Sequence, residues 1–270
     1  MLETNRPLDA MSLDHPHAIV KHQTATRDAF LGGRLVMEQP SHGFRAGLDS
    51  VLLGAAVKAE AGELLDLGAG AGTAGLVALA FRPGLVATLV ENDAAVLPLL
   101  AGNIAANGLD GRASVLDLDV TASGAVRAAA GLRTDCYASV IANPPFFAAE
   151  SGTLASTRGA AARHMAGSAI DRWVRTAAAS AAPGGEVIFI HAAPALAPLL
   201  AAFDARFGAI AILPFAPRAG DAASRVLVRA IKGSRAPLTL HATRALHGEG
   251  GRAFVPEIEA VLRGVAPLVW

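Results

Sequence analysis

An apolar strand that runs directly into alternating glycines is the feature that most constrains how this chain folds. Residues 64–67 are mostly apolar, and Gly68, Gly70 and Gly72 follow before a stretch with the composition of a buried helix. Glycines at such a turn let the backbone bend sharply and let a ligand approach, because no Cβ atom stands in the way. The pattern predicts a strand–turn–helix unit of an open α/β sheet, with a ligand at the turn.

The spacing of these glycines separates the turn from two common phosphate-binding motifs. A dinucleotide-binding fingerprint has a Gly or Ala three positions after its second Gly, and Thr73 stands there instead. No Lys follows the glycines, which argues against a P-loop. Asp66 lies at the end of the strand and is, together with the glycines, a candidate ligand-binding residue.

Acidic residues end the next two predicted strands. The stretch 85–90 ends at Glu91, whose carboxylate can accept hydrogen bonds from both hydroxyls of a ribose. The stretch 113–116 is followed by Asp117 and Asp119, and we expect Asp119 to face the edge of an adenine. The alternative for these two acids is a solvated strand end.

The segment Asn143-Pro144-Pro145-Phe146 follows a fourth short apolar stretch. Two prolines remove two backbone donors and fix φ, so the chain leaves the sheet as a rigid loop. Such a loop can present the Asn143 side chain and a carbonyl to the NH₂ group of a planar substrate, while Phe146 stacks on its face. The alternative is an Asn-Pro turn with a buried Phe. The candidate catalytic residues are Asn143, Pro144, Pro145 and Phe146, and the candidate cofactor-binding residues are Asp66, Gly68, Gly70, Gly72, Glu91, Asn92, Asp119, Val120 and Asn143.

With these motifs the chain resembles the class I S-adenosylmethionine-dependent methyltransferases that act on exocyclic or amide nitrogens through an Asn-Pro-Pro-aromatic segment. It is most similar to the bacterial family that methylates N6 of an adenine in the anticodon loop of valine tRNA. Residues 39–49, Asn103, Asn107 and residues 225–233 also carry this resemblance. The family commonly has a Glu after Ala-Arg-His, where this chain has Met165.

The resemblance implies a Rossmann-like α/β fold with a seven-stranded, mostly parallel sheet and helices on both faces. It implies S-adenosyl-L-methionine as the cofactor and an RNA substrate, for which we expect a tRNA. Three other functions stay open: methylation of a protein glutamine, methylation of a guanine amine in ribosomal RNA, and a non-catalytic RNA-binding role. A nicotinamide oxidoreductase is disfavoured by Thr73.

The chain divides into two predicted parts. We expect residues 1–45 to be an N-terminal extension with a small hairpin at residues 31–40, and residues 46–270 to be the methyltransferase domain. Residues 152–169 lack a clear period and predict a mobile loop over the site, before a helix at 170–181.

Composition is compatible with a cytoplasmic enzyme. The chain has 270 residues, of which 53% are hydrophobic, and a formal net charge of zero. A nucleic-acid partner would therefore need a local basic surface. Residues 225–252 contain six cations and one acid, and Arg158 and Arg163 follow the Pro-Pro loop, so we expect the RNA to be held there. The single Cys136 suits a reducing compartment; we expect neither a metal site nor a membrane span, and the oligomeric state is open.

Overall fold

The computed structural model describes residues 25–42, 45–145 and 157–270, and only the helical backbone of residues 157–166. A hairpin comes first, formed by strands β1 (Ala25–Phe30) and β2 (Leu35–Pro40), which pair antiparallel. Its turn contains Gly32 and Gly33, both with positive φ. The hairpin begins earlier than the sequence suggests, because β1 alternates exposed and half-buried residues and shows no apolar pattern. The division of the chain at residue 45 stays a prediction.

A single large sheet forms the centre of the fold. Its long strands are β3 (Ala61–Leu67), β4 (Gly84–Glu91), β5 (Ala113–Asp117), β6 (Tyr137–Ala142), β7 (Ala181–Ala192), β8 (Phe207–Ala216) and β9 (Arg225–Lys232). They lie in the order β5-β4-β3-β6-β7-β9-β8, and only β9 runs antiparallel to its neighbours. The predicted fold class, an α/β sheet that is mostly parallel, is confirmed. Two two-residue strands, β10 (Thr239–Leu240) and β11 (Arg244–Ala245), extend the sheet beyond β8.

Helices cover both faces of the sheet. They are α1 (Leu48–Ala55), α2 (Thr73–Phe81), α3 (Leu97–Ala106), α4 (Gly124–Ala129), α5 (Thr157–Ser180), α6 (Leu196–Asp204) and α7 (Pro256–Leu262). Successive side chains of a strand point to opposite faces, so Leu64 joins the core under α1, α2 and α3, and Leu65 joins the core under α5 and α6. These two hydrophobic cores hold the strand ends in fixed positions.

Helix α5 corrects one sequence-based expectation. The loop predicted at residues 152–169 is wrong from Thr157 onward, because α5 begins there and continues to Ser180. This stretch is rich in Ala, which has the highest helix propensity, and needs no strong apolar period to be helical. Residues 152–156 lie outside the described residues.

Two asparagines attach the hairpin to the sheet domain: Asn103 in α3 and Asn107 at the C-terminal end of that helix. Asn103 Oδ1 accepts from Glu38 N at 2.7 Å, and its Nδ2 donates to the carbonyls of Glu38 and Ala71, both at 2.9 Å. Asn107 makes the equivalent pair of bonds to the backbone of Val36, at 3.0 and 2.9 Å. Because Ala71 belongs to the glycine turn, the hairpin and the turn are held by the same helix.

Candidate functional site

A cavity of about 660 Å³ opens at the carboxyl ends of β3, β4, β5 and β6. In an open α/β sheet these ends share one edge, which is where ligands bind. The structure brings eight of the nine predicted cofactor-binding residues to this cavity: Asp66, Gly68, Gly70, Glu91, Asn92, Asp119, Val120 and Asn143. Their roles toward a cofactor stay predictions; their proximity is an observation.

The glycine turn has positive φ at Gly68, Gly70 and Gly72, a backbone conformation that favours glycine. A Cβ on Gly68 would lie 2.5 Å from the ring of Trp173. A Cβ on Gly70 would meet nothing within 4 Å, so this residue leaves open space at the cavity. Gly72, the ninth predicted residue, does not line the cavity; its Cβ would lie 2.6 Å from Leu100 Cδ1, so it allows α3 to pack closely.

The carboxylate of Glu91 is held by three backbone amides. Its Oε2 accepts from Gly70 N at 2.8 Å, and its Oε1 accepts from Asn92 N and Asp93 N, each at 2.8 Å. An ionised carboxylate has about four acceptor sites, so Glu91 keeps capacity for a ligand hydroxyl. The charge-assisted bond from Gly70 joins the end of β4 to the glycine turn, and the other two fix the segment that follows β4.

Asp66 is a buried carboxyl group beneath the same turn. Its Oδ2 accepts from Gly75 N at 2.9 Å and so satisfies an amide in the first turn of α2, where the N-cap residue Gly72 has no side chain to do so. Burial raises the pKa of Asp66 to about 7, the bond from Gly75 lowers it, and the charge of Glu91 raises it. Asp66 therefore keeps its proton to a higher pH than a solvated aspartate does.

Asp119 lines the cavity, whereas Asp117 does not, and the role of Asp119 toward an adenine stays a prediction. The Asp119 carboxylate accepts from the backbone and hydroxyl of Thr121 at 2.7 and 2.9 Å, which fixes its orientation. Val120 is buried, and its carbonyl accepts from Thr176 Oγ1 of α5 at 2.8 Å. This bond ties the end of β5 to α5.

Asn143 has a side chain that the surrounding protein does not satisfy. Among the described residues, neither its Oδ1 nor its Nδ2 has a hydrogen-bond partner, although both atoms are buried. Leaving a buried polar group without a partner costs about 1–3 kcal/mol, so the arrangement suits a ligand that supplies partners. Pro145 lines the cavity, Pro144 is buried and does not line it, and Phe146 lies outside the described residues.

Sequence reasoning did not assign two parts of the cavity wall. Trp173 of α5 lines the cavity. The only feature of the sequence that singles it out is that Trp is rare in this chain, which has two. The segment after β2 contributes Gln39, whose buried amide accepts from Ala46 N at 2.7 Å and donates to Asp28 Oδ2 at 2.8 Å. These bonds hold the segment that brings His42 to the same cavity. Residues 39–49 supported the resemblance, but no site role was assigned to them.

The basic segment 225–252 is largely neutralised by acids from other elements. Four of its six cations form ion pairs: Arg225 with Asp49, Arg229 with Glu186, Lys232 with Asp135, and Arg244 with Glu257. These ion pairs lower the excess of positive charge on the segment, because the fold brings acids near it that are distant in sequence. Its role in holding RNA stays a prediction. The side chains of Arg158 and Arg163 lie outside the described residues.

In the described part of the chain, no helix is long and apolar enough to cross a membrane. The same residues contain no group of three or more His, Cys, Asp or Glu side chains that could hold a metal ion.

The strand order, with a cavity above a glycine turn at the carboxyl ends, is that of the class I S-adenosylmethionine-dependent methyltransferases. Residues 47–193 match the family model described as "Methyltransferase small domain". The match covers more than half of the chain, so the chain belongs to this family of S-adenosylmethionine-dependent methyltransferases.

Two curated relatives share the name ribosomal RNA small subunit methyltransferase C. The protein from Pseudomonas aeruginosa is 33% identical over 147 residues, which are 54% of this chain and 37% of the relative. The one from Aeromonas hydrophila is 34% identical over 101 residues, which are 37% of this chain and 26% of the relative. The matched part thus spans well under half of either relative.

Solved structures resemble a larger part of the chain. A predicted O-methyltransferase from Agrobacterium tumefaciens superposes with a TM-score of 0.70 and 32% identity, covering 82% of this chain and 98% of that one. The 16S rRNA N2 G1207 methyltransferase of T. thermophilus, in complex with AdoMet and guanosine, has a TM-score of 0.52 and 24% identity. The superposition covers 77% of this chain and 50% of the T. thermophilus chain, and it shows that the two share a fold.

The raised pKa of Asp66 predicts a pH-dependent stability. Because the folded-state pKa, about 7, lies above the ordinary value of 3.8, the folded protein binds an extra proton between these values. The Asp66 contribution to the free energy of unfolding therefore falls as the pH rises through this window, by up to about 1.4 kcal/mol per pH unit, and is constant above it.

Asparagine cannot ionise, so Asp66→Asn should not lose this contribution as the pH rises. We therefore expect the unfolding free energy of the variant, relative to that of the wild type, to increase with pH. Urea denaturation across the window measures this difference. Asp110→Asn, at an exposed position, is the control and should follow the wild type. A difference for Asp66→Asn that does not change with pH would contradict the assignment.

Proposed function

We propose that this protein transfers the methyl group of S-adenosyl-L-methionine to an exocyclic amine of a base in RNA, namely N6 of an adenine in a tRNA anticodon loop. The observation that carries the proposal is the buried Asn143 side chain, which has no partner among the described residues and lines the same cavity as the cofactor-binding candidates.

The cofactor would lie along the strand ends. Its ribose would contact Glu91, its adenine would lie near Asp119 and Val120, and its methionine part would lie over the turn from Gly68 to Gly72. Three observations support this placement: the acceptor capacity left on Glu91, the open space above Gly70, and a cavity volume of about 660 Å³, within the usual range for cofactor sites. When bound, S-adenosylmethionine supplies an electrophilic methyl group.

The acceptor amine needs activation, because its lone pair is delocalised into the base. Asn143 Oδ1 and the Pro144 carbonyl would accept its two hydrogens, which favours tetrahedral geometry at nitrogen and frees the lone pair. The same acceptors stabilise the positive charge that develops on nitrogen, because they are oriented before the reaction. Positioning the amine in line with the methyl group would supply much of the remaining rate enhancement.

The two atoms of the Asn143 amide can pair with an adenine from either side of N6, and with a guanine from one side of N2. Oδ1 can accept from N6 while Nδ2 donates to the neighbouring ring nitrogen, N1 or N7, which is an acceptor on either side. Guanine N2 has an acceptor neighbour only at N3, because its other neighbour, N1, carries a hydrogen. The resemblance to the valine-tRNA family supports the same base.

Guanine N2 in ribosomal RNA is the second candidate. It is favoured by the names of the curated relatives and by the guanosine bound in the T. thermophilus structure. An Asn-Pro-Pro loop can accept the hydrogens of either amine, so the loop itself does not decide between the two bases.

We expect Asn143→Ala to lower the single-turnover rate by about 10²–10³-fold, since it removes one preorganised group at the centre where charge develops. Affinity for S-adenosylmethionine, measured by calorimetry, should change little. Ser139→Ala is a matched control, because Ser139 Oγ is also buried without a partner among the described residues but does not line the cavity. A near-normal rate for Asn143→Ala, or an equal loss for Ser139→Ala, would contradict the proposed role.

The substrate is tested by offering labelled cofactor to tRNA, small-subunit ribosomal RNA and translation release factors from a strain that lacks the gene. We expect label on tRNA, recovered as N6-methyladenine. Label recovered as N2-methylguanine in ribosomal RNA would replace the first candidate with the second. Label on the release factors alone would overturn the RNA proposal and indicate a glutamine amide as the acceptor.

A further inference from the structure

Arginines from three parts of the chain lie together beside α5, the helix that also carries the cavity residue Trp173. Arg175 of α5 and Arg206, which follows α6, both pair with Asp171; the bond from Arg206 Nη2 to Asp171 Oδ1 is 2.8 Å. Arg127 of α4 lies close enough to Arg175 for the two charges to interact, and its Nη1 donates to Ala122 O at 2.6 Å. One carboxylate is thus shared by two guanidinium groups while a third lies nearby.

This arrangement has an excess of positive charge. Burial and the charge of Arg175 both lower the pKa of Arg127, so the protein environment disfavours its cation. Arg172, the neighbour of Asp171 on α5, is exposed. Among the described residues, the three linked arginines, Arg127, Arg175 and Arg206, thus face the single carboxylate of Asp171. An anion bound between the guanidinium groups would relieve their repulsion.

The elements that carry these arginines also form the cavity. Trp173 lies between Asp171 and Arg175 in sequence and lines the cavity from α5. One residue beyond Arg175, Thr176 bonds to the carbonyl of Val120, which lines the cavity too. An α-helix with its side chains is about 10–12 Å in diameter, so the outer surface of α5 lies about that far from the cavity.

We propose that Arg127, Arg172, Arg175 and Arg206, the arginine cluster, bind the phosphate backbone of the RNA whose base enters the cavity. Guanidinium groups present planar, paired donors that match phosphate oxygens, and such contacts position an RNA without reading its sequence. The inference rests on the proposed function and gives the RNA a docking surface different from segment 225–252. Four cations of that segment each have a carboxylate of their own, whereas Arg175 and Arg206 share one.

The test measures binding of bulk bacterial tRNA, and separately of small-subunit ribosomal RNA, over a series of salt concentrations. Arg175→Ala should lower the slope of log affinity against log salt by about one, and Arg172→Ala combined with Arg175→Ala by about two. Both side chains lie on the surface, and unchanged affinity for S-adenosylmethionine would show that the fold is intact.

Arg263→Ala is the matched control. Arg263 forms the same kind of i,i+4 ion pair, with Glu259, and its side chain is 68% exposed against 63% for Arg175. Arg263 also lies far from the cavity. The carbonyl of the next residue, Gly264, accepts a hydrogen bond from Arg34, and Arg34 also donates to the end of α2, at the edge of the sheet away from the cavity. Its removal should leave the slope unchanged.

The cluster assignment is overturned if the wild-type protein binds and methylates RNA but the double variant keeps the wild-type slope, or if Arg263→Ala lowers it equally. A wild-type protein that neither binds nor methylates either RNA would overturn the proposed function itself. The two failures are therefore distinguishable in one set of measurements.

Discussion

The turn between β3 and α2 has no room for side chains at two of its glycines, and the rest of the site is arranged around this constraint. Trp173 of α5 packs against Gly68 from one side of the sheet, and Leu100 of α3 packs against Gly72 from the other. The carboxylates of Glu91 and Asp66 bind amides of the turn and of the helix that follows it. Helices from both faces and two strand ends therefore hold the turn in position.

The loop after β6, the strand that pairs with β3, differs from the glycine turn in one respect. The polar groups around the turn mostly have partners within the protein, whereas the Asn143 side chain has none among the described residues. A buried amide held in this way is unfavourable in the free protein and becomes favourable when a ligand supplies a donor and an acceptor. Under the proposed function, this amide, followed by two prolines, lies where a substrate amine would reach the cofactor.

The sequence predicted those parts of the site that depend only on the backbone geometry of neighbouring residues. The glycine turn, the acid that ends β4 and the loop that begins at Asn143 are each set by backbone geometry within a few residues, and topology then brings strand ends to one edge. The first half of α5 was missed because an Ala-rich helix has a weak apolar period. The partners of Arg225 and Arg229 were missed because Asp49 and Glu186 are distant in sequence and meet them only in the folded chain.

The central claim is that the Asn143 side chain accepts a hydrogen of the substrate amine. A crystal structure of the protein with S-adenosylhomocysteine and adenosine, compared with one containing guanosine, tests this most directly. The account predicts adenosine in the cavity, with N6 about 2.7–3.2 Å from Asn143 Oδ1 and on the methyl-donor side of the cofactor. An Asn143 side chain bonded only to protein groups, with the base bound elsewhere, would contradict it.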